Sequence, residues 1–405
     1  MQLLTNKNIL VACTGSIAVY KTLELIRLYI KAGANVKVIM SQSAKKFVTP
    51  LAFETISQQN ILDDTYENWN KNSIDNHIAI GKWADILIIA PATANTINKL
   101  SHGIANNILL ETVLAYPRIK LLCPAANTNM INNPITKESL QTLQNCNFKI
   151  IQSQVKELAC RDIGDGAMAN IEDIYHATLK ELLSHSYWLN RKVVVTGGGT
   201  IEKIDDVRYI SNFSSGKMAA NLATALYYKG ADVYFITTKH LDIPKEIKVI
   251  DVQNTKEMFR SVQKSLKDIK TEKKPYFFSV AAVSDYIPST PKNGKLKKAD
   301  IGKVWSLQLK KNRDILDSID KKGIYTVGFK AELDSSIAQE NAINMLHNKK
   351  IDAVCLNLIN KENHFGSSTN EIDLISHNSI THIPKNSKLN ISFSILNSLK
   401  EQFHD

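Results

Sequence analysis

Two stretches of this chain, about 185 residues apart, each run an apolar strand into a small-residue turn and then into a helical pattern. The first runs from Asn8 through Ile9–Cys13 to Gly15-Ser16-Ile17-Ala18, and the second from Val193 through Gly197-Gly198-Gly199 to Met218. A strand apolar at every position is buried on both faces, which is the condition of a parallel sheet covered by helices. Two such openings in 405 residues predict two α/β domains in series. At both turns glycine lets the backbone approach an anion, and the following helix offers free N–H groups and a partial positive charge. Neither turn is a strict G-x-G-x-x-G or P-loop motif, so Gly197–Gly199 reads either as a nucleotide loop or as a tight strand-to-helix turn. Arg208, Ser211, Asn212, Ser214, Ser215, Gly216 and Lys217 follow it closely, all suited to oxyanion contact, and they favour the nucleotide reading.

The β-α rhythm continues between these landmarks. In the first half strand patterns fall at Ile9–Cys13, Val36–Met40, Ile86–Ala90 and Leu121–Cys123, with helical patterns at Ile17–Ala32, Ile104–Ala115 and Ile171–Leu183. An irregular Gly/Asp loop is expected over Ala159–Ala169, and Ser184–Lys192 hands over to the second domain without a Gly/Pro-rich linker. The second half gives strands at Val193–Thr196, Val233–Thr237, Phe277–Val280, Val327–Phe329, Ala353–Leu356 and Ile372–Ile375. Its helical patterns fall at Lys217–Lys229, Lys256–Ile269, Ile337–His347 and Leu389–Phe403. The fold expected is two doubly wound Rossmann-like domains in tandem, residues 1–190 and 191–405.

Composition removes several alternatives. Five cysteines with no C-x-x-C spacing argue against a disulfide framework and a zinc site. No apolar run approaches a membrane span, and Met1 to Lys7 contains no signal-peptide core, so a cytoplasmic protein is expected. Residues 191–405 carry 33 Lys and Arg against 24 Asp and Glu, and thus most of the net charge of +11. These cations are not interleaved with stacking aromatics, which disfavours nucleic acid. A polyphosphate substrate suits the run Lys292, Lys295, Lys297, Lys298 and Lys303, although a plain solvated surface accounts for most such lysines.

The residues suited to chemistry stand where α/β sheets bind ligands, after strands. In the first half they are Ala90-Pro91-Ala92-Thr93-Ala94-Asn95, His77, Pro124-Ala125-Ala126-Asn127 with Met130, and Ala159-Cys160-Arg161-Asp162 with Gly164. Together with Gly15-Ser16 they resemble the flavin-dependent cysteine decarboxylases. In the second half Arg208 to Lys217, Ala281-Ala282-Val283-x-Asp285, Lys295-x-Lys297-Lys298 and Gly328-Phe329-x-Ala331-Glu332 resemble phosphopantothenate–cysteine ligases. In this order, over essentially the whole chain, the motifs are similar to the bifunctional decarboxylase/ligase family of coenzyme A biosynthesis.

That resemblance implies specific roles. A 4′-phosphopantothenate carboxylate attacks CTP to give an acyl-cytidylate and pyrophosphate, and the cysteine amine then displaces CMP. Lys295 would bind the triphosphate, Asn212 hold the activated acyl group with Arg208 nearby, and Asp285 contact the nucleotide or its Mg²⁺. A helix-capping role for Asn212 remains an alternative. Further nucleotide and substrate contacts are implied for Ser279, Val280, Ala281, Ala282, Arg313, Asp314, Ile315, Leu316, Phe329 and Lys349. In the decarboxylase, FMN would lie against Gly15, Ser16, Ser41, Ala92, Thr93 and Asn95, Asn127 would bind the substrate carboxylate, and His77 would act as acid, base or orienter. Cys160 would return the proton in the final reduction. The resemblance further implies homo-oligomers, with trimeric decarboxylase and dimeric ligase domains. The chain departs from the family's usual residues at Ala126 (Met), Arg161 (Gly), Asn106-Asn107 (an acid), Met345 (Lys), Arg313 (Pro) and Leu358 (Asp). An active ligase beside a weakened or structural flavin domain is therefore the second reading, and an NAD(P) oxidoreductase the third, disfavoured by the missing dinucleotide fingerprint.

Overall fold

The computed structural model describes residues 2–65, 67–70, 76–157, 163–267, 272–297, 304–360 and 366–404. The chain divides into two compact units, Met1–Leu182 and Leu183–Asp405. The division falls before the expected 190/191, because the intervening residues pack within the second unit. Trp188 and Arg191 are buried there, the Arg191 guanidinium donating to the carbonyls of Tyr187 (2.9 Å) and Lys274 (2.6 Å).

In the first unit β1 (Asn8–Cys13), β2 (Asn35–Met40), β3 (Ile86–Ala92), β4 (Lys120–Pro124) and β5 (Phe148–Ile150) form one sheet in the order β2-β1-β3-β4-β5. Every pairing is parallel, and the central β1 and β3 are apolar because helices cover both faces. The covering helices include α1 (Val19–Lys31), α2 (Pro50–Ser57), α3 (His77–Trp83), α4 (Ala94–Ser101) and α5 (Ile108–Ala115). After them come α6 (Thr128–Asn132), α7 (Pro134–Asn145) and α8 (Ile171–Leu183). The helix expected from Ile104 starts only at Ile108, since the Asn107 side chain accepts from Leu110 N at 2.9 Å and caps it.

One loop expectation is overturned. Within Ala159–Ala169, Ile163–Ala167 is a strand, β7, paired antiparallel with β6 (Gln154–Glu157). Its glycines serve close approach and not a turn. A Cβ on Gly164 would lie 1.7 Å from Thr128 Oγ1, and one on Gly166 would lie 1.8 Å from the Ala126 carbonyl oxygen.

The second unit builds an eight-stranded sheet. Its first six strands are β8 (Lys192–Gly197), β11 (Asp232–Thr237), β12 (Lys248–Asp251), β13 (Tyr276–Ser279), β16 (Tyr325–Glu332) and β17 (Ala353–Leu358). They run parallel in the order β12-β11-β8-β13-β16-β17. β18 (Thr369–Ser376) and β19 (Ile380–Ser387) extend the edge antiparallel; β19 alternates weakly and left no apolar signal. Small ribbons pair β9 (Glu202–Lys203) with β10 (Tyr209–Ile210) and β14 (Tyr286–Pro288) with β15 (Leu309–Lys311). The helices are α9 (Lys217–Tyr228), α10 (Thr255–Lys267), α11 (Ile315–Ser318), α12 (Ser335–Asn348) and α13 (Lys388–Gln402).

Candidate functional site

In each sheet the strand order reverses once, and there the loops leaving neighbouring strands diverge and open a crevice. In the first unit the reversal lies between β1 and β3. A cavity of about 610 Å³ opens beside it, lined by Thr14–Ile17, Ser41–Ser43 and Thr93–Thr96, with Asp64, Lys99, Asn107 and Ala126 among its other walls. The Thr14 hydroxyl ties the two loops together, donating to the Pro91 carbonyl (2.7 Å) and accepting from Thr93 N (3.0 Å). Gly15 is required by space: a Cβ there would stand 2.4 Å from Ser43 Cβ. Of the residues expected against the flavin, Gly15, Ser16, Ser41, Thr93 and Asn95 line this cavity. Ala92 does not; it is fully buried, and its carbonyl accepts from Ala125 N at 2.8 Å.

A second cavity of about 530 Å³ shares Ser16, Ile17, Ala125 and Ala126 with the first and adds Asn127, Glu157 and Gly166. Asn127 reaches it from the N-terminus of α6, where its Oδ1 also accepts from Asn129 N at 2.9 Å. The β6–β7 hairpin forms part of this wall, and Ala126 N donates to Gly166 O at 3.0 Å. Cys160 and Arg161 lie outside the described residues. His77 opens α3 but lines neither of these cavities. Its Nδ1 sits 2.8 Å from Glu67 Oε1 and 3.6 Å from Glu111 Oε2, with its ring edge-on to Trp69. An ionised carboxylate only accepts, so Nδ1 carries a proton and Nε2 is the nitrogen left to exchange one.

In the second unit the reversal lies between β8 and β13. Thr196 Oγ1 accepts from Val280 N (3.2 Å) and Ala281 N (3.4 Å), and Ala282 N donates to the Gly198 carbonyl (2.8 Å). These bonds fold the Val280–Asp285 loop over the glycine turn. The adjoining cavity, about 360 Å³, is lined by Phe213–Ala219, Val280–Val283, Asp285, Phe329–Ala331, Asn357, Gly366, Asn370 and Lys388. Among the expected residues, Val280, Ala281, Ala282, Asp285 and Phe329 line it. Ser279 ends β13 beside them, and Asn212 is exposed, its Nδ2 donating to the Val283 carbonyl at 3.1 Å.

Arg208 stands in a separate polar knot that positions the basic loop. Its Nη2 donates to Leu296 O at 2.9 Å, and its guanidinium lies 5.4 Å from the Trp305 ring centre. Asp205 receives Val207 N (2.8 Å), Arg208 N (2.7 Å) and Leu296 N (3.2 Å). Burial alone would raise the Asp205 carboxyl, but these donors outweigh it and hold it below the ordinary carboxylate range. Lys295 is carried on this loop, exposed and outside the cavity's lining. Arg313, Asp314, Ile315, Leu316 and Lys349 form another neighbourhood. The Arg313 guanidinium covers the Phe259 ring at 4.3 Å, and Lys349 Nζ pairs with Asp314 Oδ2 at 2.5 Å. Burial again works to raise Asp314, but Lys349 and the Asp317 backbone N–H hold it low. The Ile315 and Leu316 side chains belong to the core, and Met345 and Leu358 pack against the same core.

Sequence reasoning missed Lys388, Lys330, Asn357 and Asn370 in this cavity, and Asp64, Lys99 and Glu157 in the first unit. Lys330 is the unspecified position inside the Gly328–Glu332 motif, Asp64, Lys99 and Glu157 stand outside the motifs quoted, and Asn357, Asn370 and Lys388 come from later elements that carry no motif.

The first unit matches the family model Flavoprotein over residues 1–183, and the second matches the DNA/pantothenate metabolism flavoprotein C-terminal domain over residues 188–403. The coenzyme A biosynthesis bifunctional protein CoaBC of Borreliella burgdorferi is 34% identical over 399 residues, covering 97% of this chain and 99% of that protein. The CoaBC of Bacillus subtilis is 36% identical, covering 98% and 97%. This chain belongs to the CoaBC family. Among solved structures, the FMN binding protein AtHal3 is 34% identical over 42% of this chain and 94% of that one, with a TM-score of 0.38. Membership makes the chain a flavoprotein. The first unit's cavity fits a flavin: its walls at the strand reversal, Thr14–Ser16 and Thr93–Thr96, are small and hydroxylic, and Leu109, Leu110 and Met130 add apolar surface for a ring system.

Proposed function

We propose that the protein carries out two successive steps of coenzyme A biosynthesis, one per unit. The second unit joins cysteine to 4′-phosphopantothenate at the expense of CTP through an acyl-cytidylate, and the first decarboxylates the product to 4′-phosphopantetheine with FMN. What carries the reading is that each sheet has a cavity at its strand reversal, and that the two differ in chemistry. The first combines small, hydroxyl and apolar walls with a single lysine, Lys99, and the second carries three lysines, Lys217, Lys330 and Lys388, with Asp285.

In the ligase, carboxylate and triphosphate repel each other, so cations must offset their charge as they meet. The N–H groups at the start of α9, after the left-handed Gly216, face the phosphate chain. Asp285 would hold a Mg²⁺ that offsets phosphate charge, an ion commonly bound by one carboxylate plus substrate oxygens. Lys295, on the loop anchored by Arg208, supplies a further cation, and Asn212 holds the activated acyl group against Val283.

In the first unit FMN would be held by Gly15, Ser16, Ser41, Thr93 and Asn95, and when bound it supplies a reversible two-electron oxidation of the cysteinyl group. Asn127 binds the substrate carboxylate, Cys160 provides the proton for the final reduction, and His77, its Nδ1 fixed by Glu67, offers Nε2. Acting as a cytoplasmic enzyme agrees with the free thiols of Cys13, Cys123, Cys146 and Cys355. Trimeric assembly of the first unit and dimeric assembly of the second complete the proposal.

A second reading, a ligase with a structural flavin unit, has one observation in its favour: His77 faces Glu67 and Glu111 and not the cavity. Release of CO₂ from 4′-phosphopantothenoylcysteine separates them, and two further measurements test what each unit binds. Purified protein should be yellow or take up FMN on titration, and should release pyrophosphate from CTP only with 4′-phosphopantothenate. Colourless protein that ignores FMN defeats the decarboxylase proposal, and CTP turnover indifferent to the acid defeats the ligase one.

A further inference from the structure

Lys388 is the first residue of the fifteen-residue helix α13, and Lys217 is the first of α9. The dipole at a helix N-terminus disfavours a cation, so both ammonium groups stand where the backbone alone would repel them. Both line the same cavity. Lys388 is only 7% exposed, and its Nζ donates to Thr369 O (2.8 Å) and Ser367 Oγ (3.3 Å), leaving a third N–H uncommitted in these bonds. Lys217 Nζ donates to Gly366 O at 3.0 Å, on the same short stretch of chain. Among the described residues, neither lysine forms an ion pair with a carboxylate. Burial, and after it the field of Lys217, pushes the Lys388 ammonium below its ordinary range. A buried cation beside a second cation, each at a helix N-terminus, is a costly arrangement in an empty cavity and a favourable one around a multiply charged anion.

We propose that Lys388, together with Lys217, binds the β- and γ-phosphates of the nucleotide and stabilises the departing pyrophosphate. This rests on the CTP-dependent ligase reading. As the substrate carboxylate oxygen bonds to the α-phosphorus, the bond from that phosphorus to the bridging β-oxygen breaks, and the pyrophosphate leaves with the electron pair. No proton has to move; the lysines remain ammonium ions and offset the charge collecting on the leaving group. Lys295 is exposed on its loop outside the cavity, free to act elsewhere along the reaction path.

The test compares CTP with CMP, which lacks the two phosphates the lysines hold. In full-length Lys388→Met, CTP affinity should fall about 10- to 100-fold, the usual worth of a charge-assisted hydrogen bond, while CMP affinity stays at the wild-type value. Pyrophosphate release from CTP and 4′-phosphopantothenate should slow in parallel. Equal losses for both nucleotides would mean that Lys388 only braces Thr369, and no loss at all would also overturn the proposal. Should Lys388→Met fail to fold, Lys217→Met, on an exposed residue, carries the same comparison: a loss confined to CTP supports the proposal, and equal losses or none overturn it. If wild-type protein itself binds no CTP, it is the ligase reading that has failed, and this is seen before any variant is made.

Discussion

The two units place their cavities at the same topological point, but assemble them from different reaches of sequence. In the first unit the cavity walls come from the turns after β1, β2, β3 and β4 and from the start of α5, with the β1 and β3 turns tied together by Thr14 Oγ1. In the second, the turns after β8 and β13 supply Lys217 and Asp285, while Lys330 and Lys388 come from a strand and a helix well downstream. A ring system of modest charge needs shape and a few hydrogen bonds, which neighbouring turns along one sheet edge can give. A triphosphate meeting a carboxylate needs several cations converging from different directions, and a single loop cannot present them without crowding like charges.

Several changes would break or sharpen this contrast. Lys295→Gln should cost the most, lowering CTP-dependent pyrophosphate release on the order of 10²–10³-fold while leaving the flavin spectrum unchanged; wild-type release would remove Lys295 from the reaction. Gly166→Ala forces a Cβ to within 1.8 Å of the Ala126 carbonyl. It should displace the β6–β7 hairpin and lower decarboxylation by about 10²-fold, the scale of an ångström's misplacement, with ligation untouched. A matching loss of ligation would show that the units are not independent.

Asp205→Ala frees Arg208 and the loop bearing Lys295, and should raise the KM for CTP by roughly tenfold through lost charge-assisted hydrogen bonds. The variant's thermal melting without nucleotide tells a displaced loop from an unfolded unit. Ala126 lines both cavities of the first unit. Ala126→Met combined with Arg161→Gly should speed decarboxylation a few-fold and leave ligation alone; no acceleration would make these departures from the family neutral. The smallest effect is one of pH. Because the Asp205 carboxyl is held low in the fold, its support of the loop is fully present above its reference value of 3.8 and fades as pH falls through its folded value. Loop fluorescence from Trp305 should therefore hold steady from neutral pH down to about 4 and change only below it.

The architecture was largely legible because period and glycine placement report on local physics. Apolar runs such as Ile9–Cys13 and Val193–Thr196 are central strands, and the small-residue turns after them line the cavities. The Ile163–Ala167 strand was hidden because its glycines answer to a partner surface, Ala126 to Thr128, which no local pattern reveals. Arg313 to Leu316 carried a motif, yet Ile315 and Leu316 point into the core, since a helical turn capped by Asp314 buries its next two side chains. Lys388 looked like any surface lysine in a lysine-rich chain; only tertiary packing turns it inward.

The central claim is that one chain completes both steps at separate sites. The most direct measurement incubates purified, FMN-saturated protein with 4′-phosphopantothenate, cysteine, CTP and Mg²⁺, and follows products by mass spectrometry. The account predicts 4′-phosphopantetheine and CO₂, with 4′-phosphopantothenoylcysteine building up transiently because decarboxylation is the slower half. Accumulation of 4′-phosphopantothenoylcysteine with no release of CO₂ would contradict it, leaving a ligase beside a flavin unit that performs no chemistry.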